Sequence, residues 1–345
     1  MIVINVENVH TALPEVLHQL DLKGVKRESR NGPVIMFPDP VAIVYKHPTQ
    51  RVIRWEQRDA NPFFHFFESL WMLNGQRDVA FVEQFASNMA SYSDDGRVFN
   101  AAYGHRWRQW FQVDQIATII EALKADKDSR RQYLDIWDGH HDLGLQSKDL
   151  PCNVGATLQV NDRGALDMVV HNRSNDIVWG ALGANAVHFS MLQEFIASAV
   201  GVPVGRYWQV SSNLHAYEKT LAGVHDLADL AADGYRTQYS NPYKAGVVEP
   251  YEIMSVDYKT WQQDLSIFMK EGPIIGFREK FFRQVATPLW QAHKAFKTNT
   301  GLAKYEVPME ILDQCRAADW RMACQEWIQR RRAKWSRAKD DGVHA

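Results

Sequence analysis

The hydrophobic positions of this chain fall into short alternating runs over its first two thirds and into helical spacings toward its C-terminus. Ile2 to Val6 reads as a short strand. Val34-Ile35-Met36-Phe37 and Val41-Ala42-Ile43-Val44-Tyr45 read as two β segments split by Pro38-Asp39-Pro40 and placed at an edge of the sheet. Asn61-Pro62 supplies an N-cap and a first-turn proline for a helix in which Phe63, Phe66, Phe67, Leu70, Trp71 and Leu73 recur at helical spacing until Asn74-Gly75. Ile116, Ile119, Ile120 and Leu123 predict a second helix that stops in the charged run Lys124 to Arg131, with a strand over Tyr133 to Trp137 leaving it. Alternation from Val154 to Val160 and again from Ala165 to His171, joined by Asn161-Asp162-Arg163-Gly164, predicts a β-hairpin. Met191, Leu192, Phe195, Ile196, Ala199 and Val200 trace a long helix stopped at Gly201, and Tyr207 to Val210 reads as the next strand. Beyond Tyr217 the texture turns helical, with Trp320, Ala323, Cys324, Trp327 and Ile328 on one face, and it ends in the polar tail Lys339 to Ala345. With no internal repeat and no low-complexity linker, this order predicts an α+β chain. Residues 1–245 form the main domain, a central mixed β-sheet flanked by helices, and residues 246–345 form a helical C-terminal elaboration packed on it.

Composition adds exclusions. At 345 residues, with 46% hydrophobic and 23% charged residues, the chain can bury a large core. Its net charge of −2 and the absence of a long basic block before Arg330-Arg331-Arg332 give no electrostatic footprint for direct DNA binding, so any nucleotide ligand is expected to be small. Cys152, Cys315 and Cys324 are too few and too scattered for a disulfide framework and form no metal-ligand pair, which fits a reducing, cytoplasmic setting and no metal. The N-terminus lacks the basic flank and apolar run of a signal, and no stretch reaches membrane-spanning length, so no membrane partner is expected.

The chemistry-bearing residues cluster around Leu150-Pro151-Cys152-Asn153. Arg173-Ser174-Asn175-Asp176, Gly180, Asn185 and His215-Ala216-Tyr217 follow in order. The series sets a potential thiolate ahead of an Arg-Ser pair suited to a phosphate, an amide suited to a base edge, and a His/Tyr pair suited to a sugar hydroxyl. Glu68 lies inside an apolar helix, where burial raises a carboxyl pKa and makes it a candidate proton carrier. Each residue alone has a blander reading: a lone cysteine is more often a small buried hydrophobe, and a lone histidine a satisfied core residue.

Taken with Phe67-Glu68-Ser69-Leu70-Trp71, Ala102-Tyr103-Gly104-His105-Arg106-Trp107-Arg108, Asp114-Gln115-Ile116 and Ser129-Arg130-Arg131, the ordered motifs resemble the thymidylate synthase superfamily, over roughly residues 25 to 220. The resemblance implies a thymidylate synthase-like fold, an obligate homodimer, and 5,10-methylenetetrahydrofolate as co-substrate. In that chemistry a thiolate, here Cys152, adds to C6 of a pyrimidine so that C5 can attack the one-carbon unit. Glu68 then corresponds to the family's proton carrier and Tyr103 to the tyrosine that helps remove the C5 proton. Arg173 and Ser174 correspond to the phosphate clamp, completed by Arg130 and Arg131 from the other subunit. Arg30 is a weaker counterpart of the mobile phosphate-loop arginine, since Arg27 lies close. Asp176 corresponds to the pterin anchor, Gly180 to the space beside the base, Asn185 to the base-reading amide, and His215 with Tyr217 to the sugar-binding pair.

Four departures from thymidylate synthase stand out. Asn153 replaces the histidine after the nucleophile, Asn213 replaces an aspartate before the His-x-Tyr pair, one extra residue separates Gly180 from Asn185, and the chain ends Asp340-Asp341-Gly342-Val343-His344-Ala345 instead of in an apolar tail. In the synthases that tail keeps water from the exocyclic methylene intermediate. Admitted water would give a hydroxymethyl product and leave tetrahydrofolate unoxidised, as in the phage-type deoxynucleotide hydroxymethylases, which make modified DNA precursors in the host cytoplasm. The reading favoured is therefore C5 hydroxymethylation of a pyrimidine deoxynucleoside monophosphate. Asn185 favours dUMP, with dCMP close because an amide can flip and Asn153 alters the network around position 4. The alternatives are reductive methylation of dUMP to dTMP and a non-catalytic nucleotide- or RNA-binding relative.

Overall fold

The computed structural model describes residues 1–232 and 241–340, so the final tail from Asp341 to Ala345 lies outside the described residues. A six-stranded sheet runs in the order β1-β4-β9-β7-β6-β5 and a four-stranded sheet in the order β2-β3-β10-β8. The strands are β1 (Ile2–Val6), β2 (Val25–Arg27), β3 (Val34–Met36), β4 (Val41–Tyr45), β5 (Tyr133–Asp135), β6 (Asn153–Val160), β7 (Leu166–Asn172), β8 (Asn175–Asp176), β9 (Val204–Ser211) and β10 (Leu214–Tyr217). The large sheet is mixed: β1/β4 and β7/β9 are parallel, while β4/β9, β5/β6 and β6/β7 are antiparallel. Helices α1 (Val9–Lys23), α2 (Pro62–Leu73), α3 (Val79–Glu83), α4 (Tyr103–His105), α5 (Gln115–Ala125) and α6 (Asn185–Val200) accompany the sheets.

The hairpin β6–β7 turns where expected, with Asn161 N–H donating to Ala165 O at 2.8 Å. The helix starting at Asn61-Pro62 forms as α2, the Asn61 side chain accepting from Phe64 N–H. Gly201 ends α6 in a left-handed conformation at φ 80°. Two local expectations are corrected. β4 is not an edge: it lies between β1 and β9, and all five of its residues are buried, because an unbroken apolar run belongs to a strand covered on both faces. β3, which precedes the Pro38-Asp39-Pro40 break, belongs to the four-stranded sheet, and the chain enters the large sheet again only after that break. The strand expected to reach Trp137 ends at Asp135, after which Ile136 and Trp137 N–H both donate to Val154 O.

α2 is the axis of the core. On one side it meets α6. On the other its aromatic rings pack against the C-terminal helices: Phe66 on Phe281 and Trp320, Phe67 on Phe268 and Trp290, and Phe63 on Trp327. The last helix, Ala318–Asp340, is tied to the start of α2 by Arg330 and Arg331, each 2.8 Å from Asp59 Oδ1. No described helix is long and apolar enough to cross a membrane.

Candidate active site

Antiparallel pairing brings the two outer ends of the β6–β7 hairpin side by side. Asn153 pairs with Asn172, a register shift follows between Asn153 and Gly155, and Arg173 N–H donates to Cys152 O at 3.0 Å. The Arg173 side chain folds back over the approach to the cysteine. Its Nε donates to Pro151 O at 2.8 Å, and its guanidinium lies 5.5 Å from the centre of the Trp137 ring. The Cys152 thiol is half-buried, and burial pushes its pKa up; Arg173 pulls it down and Asp176 pushes it up again. A reactive thiolate at this position therefore depends on local positive charge.

Beside the thiol runs a chain of buried amides. Asn153 Nδ2 donates to Asn185 Oδ1 at 3.2 Å, Asn185 Nδ2 donates to Asn175 Oδ1 at 3.1 Å, and Asn175 Nδ2 donates to Ser211 Oγ at 3.3 Å. The links couple the orientations of the three amides, and the chain ends on the Ser211 hydroxyl, which can accept or donate. Gly180 makes room for this chain, since a Cβ there would lie 2.9 Å from Asn175 Oδ1 and 3.3 Å from Asn185 Nδ2. The extra residue between Gly180 and Asn185 is taken up in a π-helical stretch, Ile177–Ala184, with non-helical backbone at Leu182 and Gly183, so α6 still begins at Asn185.

Glu68, Tyr103, Asp149, Asn185 and His188 line one cavity of about 250 Å³. Gly104 permits this convergence: a Cβ there would collide with the Met72 backbone, so only glycine lets α4 press Tyr103 against the end of α2. Burial pushes the Glu68 carboxyl up to about 8, far from an ordinary glutamate. Burial also raises the Tyr103 phenol, with the neighbouring Cys152 adding to the rise and Asn153 opposing it by hydrogen bonding. Asp149, pushed up to about 6 by burial, accepts Asn100 N–H at 2.6 Å and Ala101 N–H at 3.2 Å, joining the segment before Cys152 to the one before Tyr103. Fully buried Arg106 braces the same region with Nη–Oδ contacts of 2.8 and 2.9 Å to Asp142.

Asp176 sits at the other mouth of the site. Its Oδ1 accepts Trp179 N–H at 2.6 Å, whereas its buried Oδ2 has no hydrogen-bond partner among the described residues. Burial raises its pKa against the pull of Trp179 N–H, His215 and Arg58. An acceptor atom with no donor, beside the exposed Trp179 ring, suits a flat ligand carrying N–H groups. His215 is Asp176's neighbour across the β8–β10 ladder, and its ring stands edge-on to Tyr217 at 5.3 Å. Arg30 lies exposed in the β2–β3 turn, whose next residue, Asn31, has its Nδ2 3.5 Å from the Tyr217 hydroxyl. Ser174 follows Arg173 at the same strand end. Arg130 and Arg131 are exposed before β5, and Arg130 borders a cavity on the outer face of the large sheet, separate from the Glu68 cavity.

Two of these cavity residues, Asp149 and His188, lie outside the sequence expectations. His188 Nε2 lies 3.2 Å from Glu68 Oε2, both side chains buried. His188 stands three residues from Asn185 on one helix, but that spacing alone does not separate it from a core histidine.

The thymidylate synthase family model matches residues 58–237, just over half of the chain. The chain belongs to the thymidylate synthase family, and the α+β fold expected from the motifs is borne out. Its full length aligns with the deoxyuridylate hydroxymethyltransferase of Pseudomonas phage M6, 54% identical over 348 aligned positions that cover 99% of each chain. The deoxyuridylate hydroxymethyltransferase of Bacillus phage SP01 is 40% identical over 189 residues, 52% of this chain and 49% of that protein. That of Delftia phage PhiW-14 is 30% identical over 237 residues, 65% of each.

Proposed function

We propose that this protein is a folate-dependent transferase that hydroxymethylates dUMP at C5. Methylenetetrahydrofolate supplies the one-carbon unit, water supplies the hydroxyl, and tetrahydrofolate leaves unoxidised. Cys152 adds to C6 as the nucleophile and departs at the end, Tyr103 assists removal of the C5 proton, and Glu68 carries protons within the cavity. Arg173 and Ser174, with Arg30, hold the phosphate; His215 and Tyr217 hold the sugar; Asp176 and Gly180 accommodate the pterin and the base.

The observation that carries the choice of base is the amide chain. With Oδ1 held by Asn153 and Nδ2 held by Asn175, Asn185 retains a second N–H for uracil O4 and a lone pair for N3–H. A flip of Asn185 alone, needed for cytosine, sets NH2 against NH2 at Asn153 and oxygen against oxygen at Asn175. Near full-length similarity to a deoxyuridylate hydroxymethyltransferase supports the same base and the same fate for the one-carbon unit.

A homodimer completes the reading, with Arg130 and Arg131 reaching the second subunit's phosphate site. Its support is the outer sheet face, where exposed Thr157 and Gln159 stand with partly exposed Val169 and Trp208, and Arg130 borders the same surface.

The deciding experiment incubates the protein with methylenetetrahydrofolate and equal dUMP and dCMP, then reads product mass and folate oxidation state. The expected result is 5-hydroxymethyl-dUMP with tetrahydrofolate. A methyl product with dihydrofolate would return the protein to reductive methylation, and a modified dCMP would overturn the base assignment.

A further inference from the structure

Two helices bring a carboxyl and an imidazole together where no motif required it. His65 and Glu68 lie three residues apart on α2, and Asn185 and His188 three apart on α6, so each pair shares a helix face. The faces meet: His188 Nε2 is 3.2 Å from Glu68 Oε2, and the His65 ring stands edge-on behind His188 at 6.3 Å. Glu68 Oε2, His188 Nε2 and His188 Nδ1 are all buried without a hydrogen-bond partner among the described residues, so the two facing atoms, 3.2 Å apart but not aligned as a hydrogen bond, bear their desolvation cost unless a small turn of the imidazole pairs them. Burial pushes Glu68 up to about 8 and His188 down to about 3, which makes the resting pair a protonated carboxyl beside a neutral imidazole.

We propose that His188 is a positioning residue for Glu68: its Nε2–H donates to Oε2, which orients the carboxyl so that its exchangeable proton sits on Oε1, toward the cavity lined also by Tyr103 and Asn185. The inference rests on the reading of the site given above and adds the residue that aims its proton carrier. When Glu68 has given up its proton to the folate nitrogen from which the one-carbon unit is released, the same N–H stabilises the carboxylate. Water then adds to the exocyclic carbon on the nucleotide: its oxygen forms the C–O bond and its proton passes to Oε1. The π pair of the exocyclic bond shifts into the ring, and Cys152 leaves as thiolate. Glu68 ends as it began, and His188 stays neutral throughout.

The other titratable groups facing this cavity are Tyr92, Tyr103, Lys148 and Asp149, with His65 behind the imidazole. Of these, Asp149 is the other carboxyl, so a test has to separate it from Glu68.

Infrared difference titration of the nucleotide-free protein reads the protonated carboxyl stretch directly. Glu68→Gln identifies the Glu68 band by its loss, and Asp149→Asn removes the other. Loss of a donor to the carboxylate disfavours the charged form. His188→Ala is therefore expected to raise the Glu68 midpoint by about one pH unit, and His188→Gln, whose amide N–H reaches the same oxygen, to return it toward wild type. In parallel, kcat should fall about tenfold or more in His188→Ala with KM for dUMP little changed, and recover in part in His188→Gln. A midpoint unmoved in His188→Ala, the same shift in both variants, or no band lost in Glu68→Gln would overturn the proposal. The infrared reading needs no turnover, so it stands apart from the function: a wild-type protein that makes no hydroxymethyl product counts against the reaction alone.

Discussion

At the scale of single residues, the site sets opposing forces on one sulfur. Burial favours the neutral Cys152 thiol, and Arg173 is the cation that opposes it. Removing that cation leaves burial and Asp176 both pushing upward, so Arg173→Ala should raise the thiol pKa further. The measurement is the rate of Cys152 alkylation by iodoacetamide against pH, with the midpoint expected to move to higher pH and the rate at neutral pH to fall; an unmoved midpoint would mean that Arg173 acts only on the ligand phosphate. Most of the candidate site was legible at this scale because Cys152, Arg173, Asp176 and Asn185 lie in one ordered stretch that the hairpin and α6 carry. His188 was not legible. A histidine on an apolar helix reads as core, and its partner Glu68 lies on a helix far away in sequence, so only tertiary packing reveals the pair.

At the scale of elements, close approach matters more than propensity. α4 is a single turn, held against α2 because residue 104 has no side chain, and Tyr103 reaches Cys152 and Asn153 only while that contact stays tight. A methyl group at this point meets backbone, which cannot swing aside as a flexible side chain would. Gly104→Ala is expected to destabilise the fold by about 2 kcal/mol or more and to lower kcat with it. Thermal unfolding checks the first effect, and a wild-type Tm would show that α4 has room to shift. The same dependence on packing explains which elements the pattern disclosed. α2 and the hairpin carry local start and turn signals. α1 went unread although Val9, Ala12, Leu13, Val16, Leu17 and Leu20 are its buried face, because Pro14 interrupts the run and its start is a capping box of Asn8 with Thr11, in place of the usual acidic partner. β4 was misplaced at an edge because its central position is set by β1 and β9, which are distant in sequence on one side.

At the scale of the whole molecule, the large sheet buries one face under α6 and the core while its other face keeps partly exposed Val169 and Trp208. If two copies join through that face, Arg130 and Arg131 of each can complete the other's phosphate site, and the catalytic unit contains residues of both chains. Complementation tests this directly. Cys152→Ser homodimers have intact arginines but no nucleophile, and Arg130→Ala/Arg131→Ala homodimers have the nucleophile but an incomplete clamp, so each should be nearly inactive alone. In a heterodimer, one site pairs wild-type Cys152 with wild-type arginines from the other chain, while the second site carries both defects. Random reassociation of equal amounts makes half of the dimers mixed, with one good site in two, so activity should recover to about a quarter of wild type. Unfolding and refolding the two variants together, against the same treatment of each alone, supplies the comparison. No recovery, with mixed dimers confirmed by native mass spectrometry, would place the arginines in their own subunit's site or outside the site altogether, and the phosphate would then be held by Arg173, Ser174 and Arg30 of a single chain.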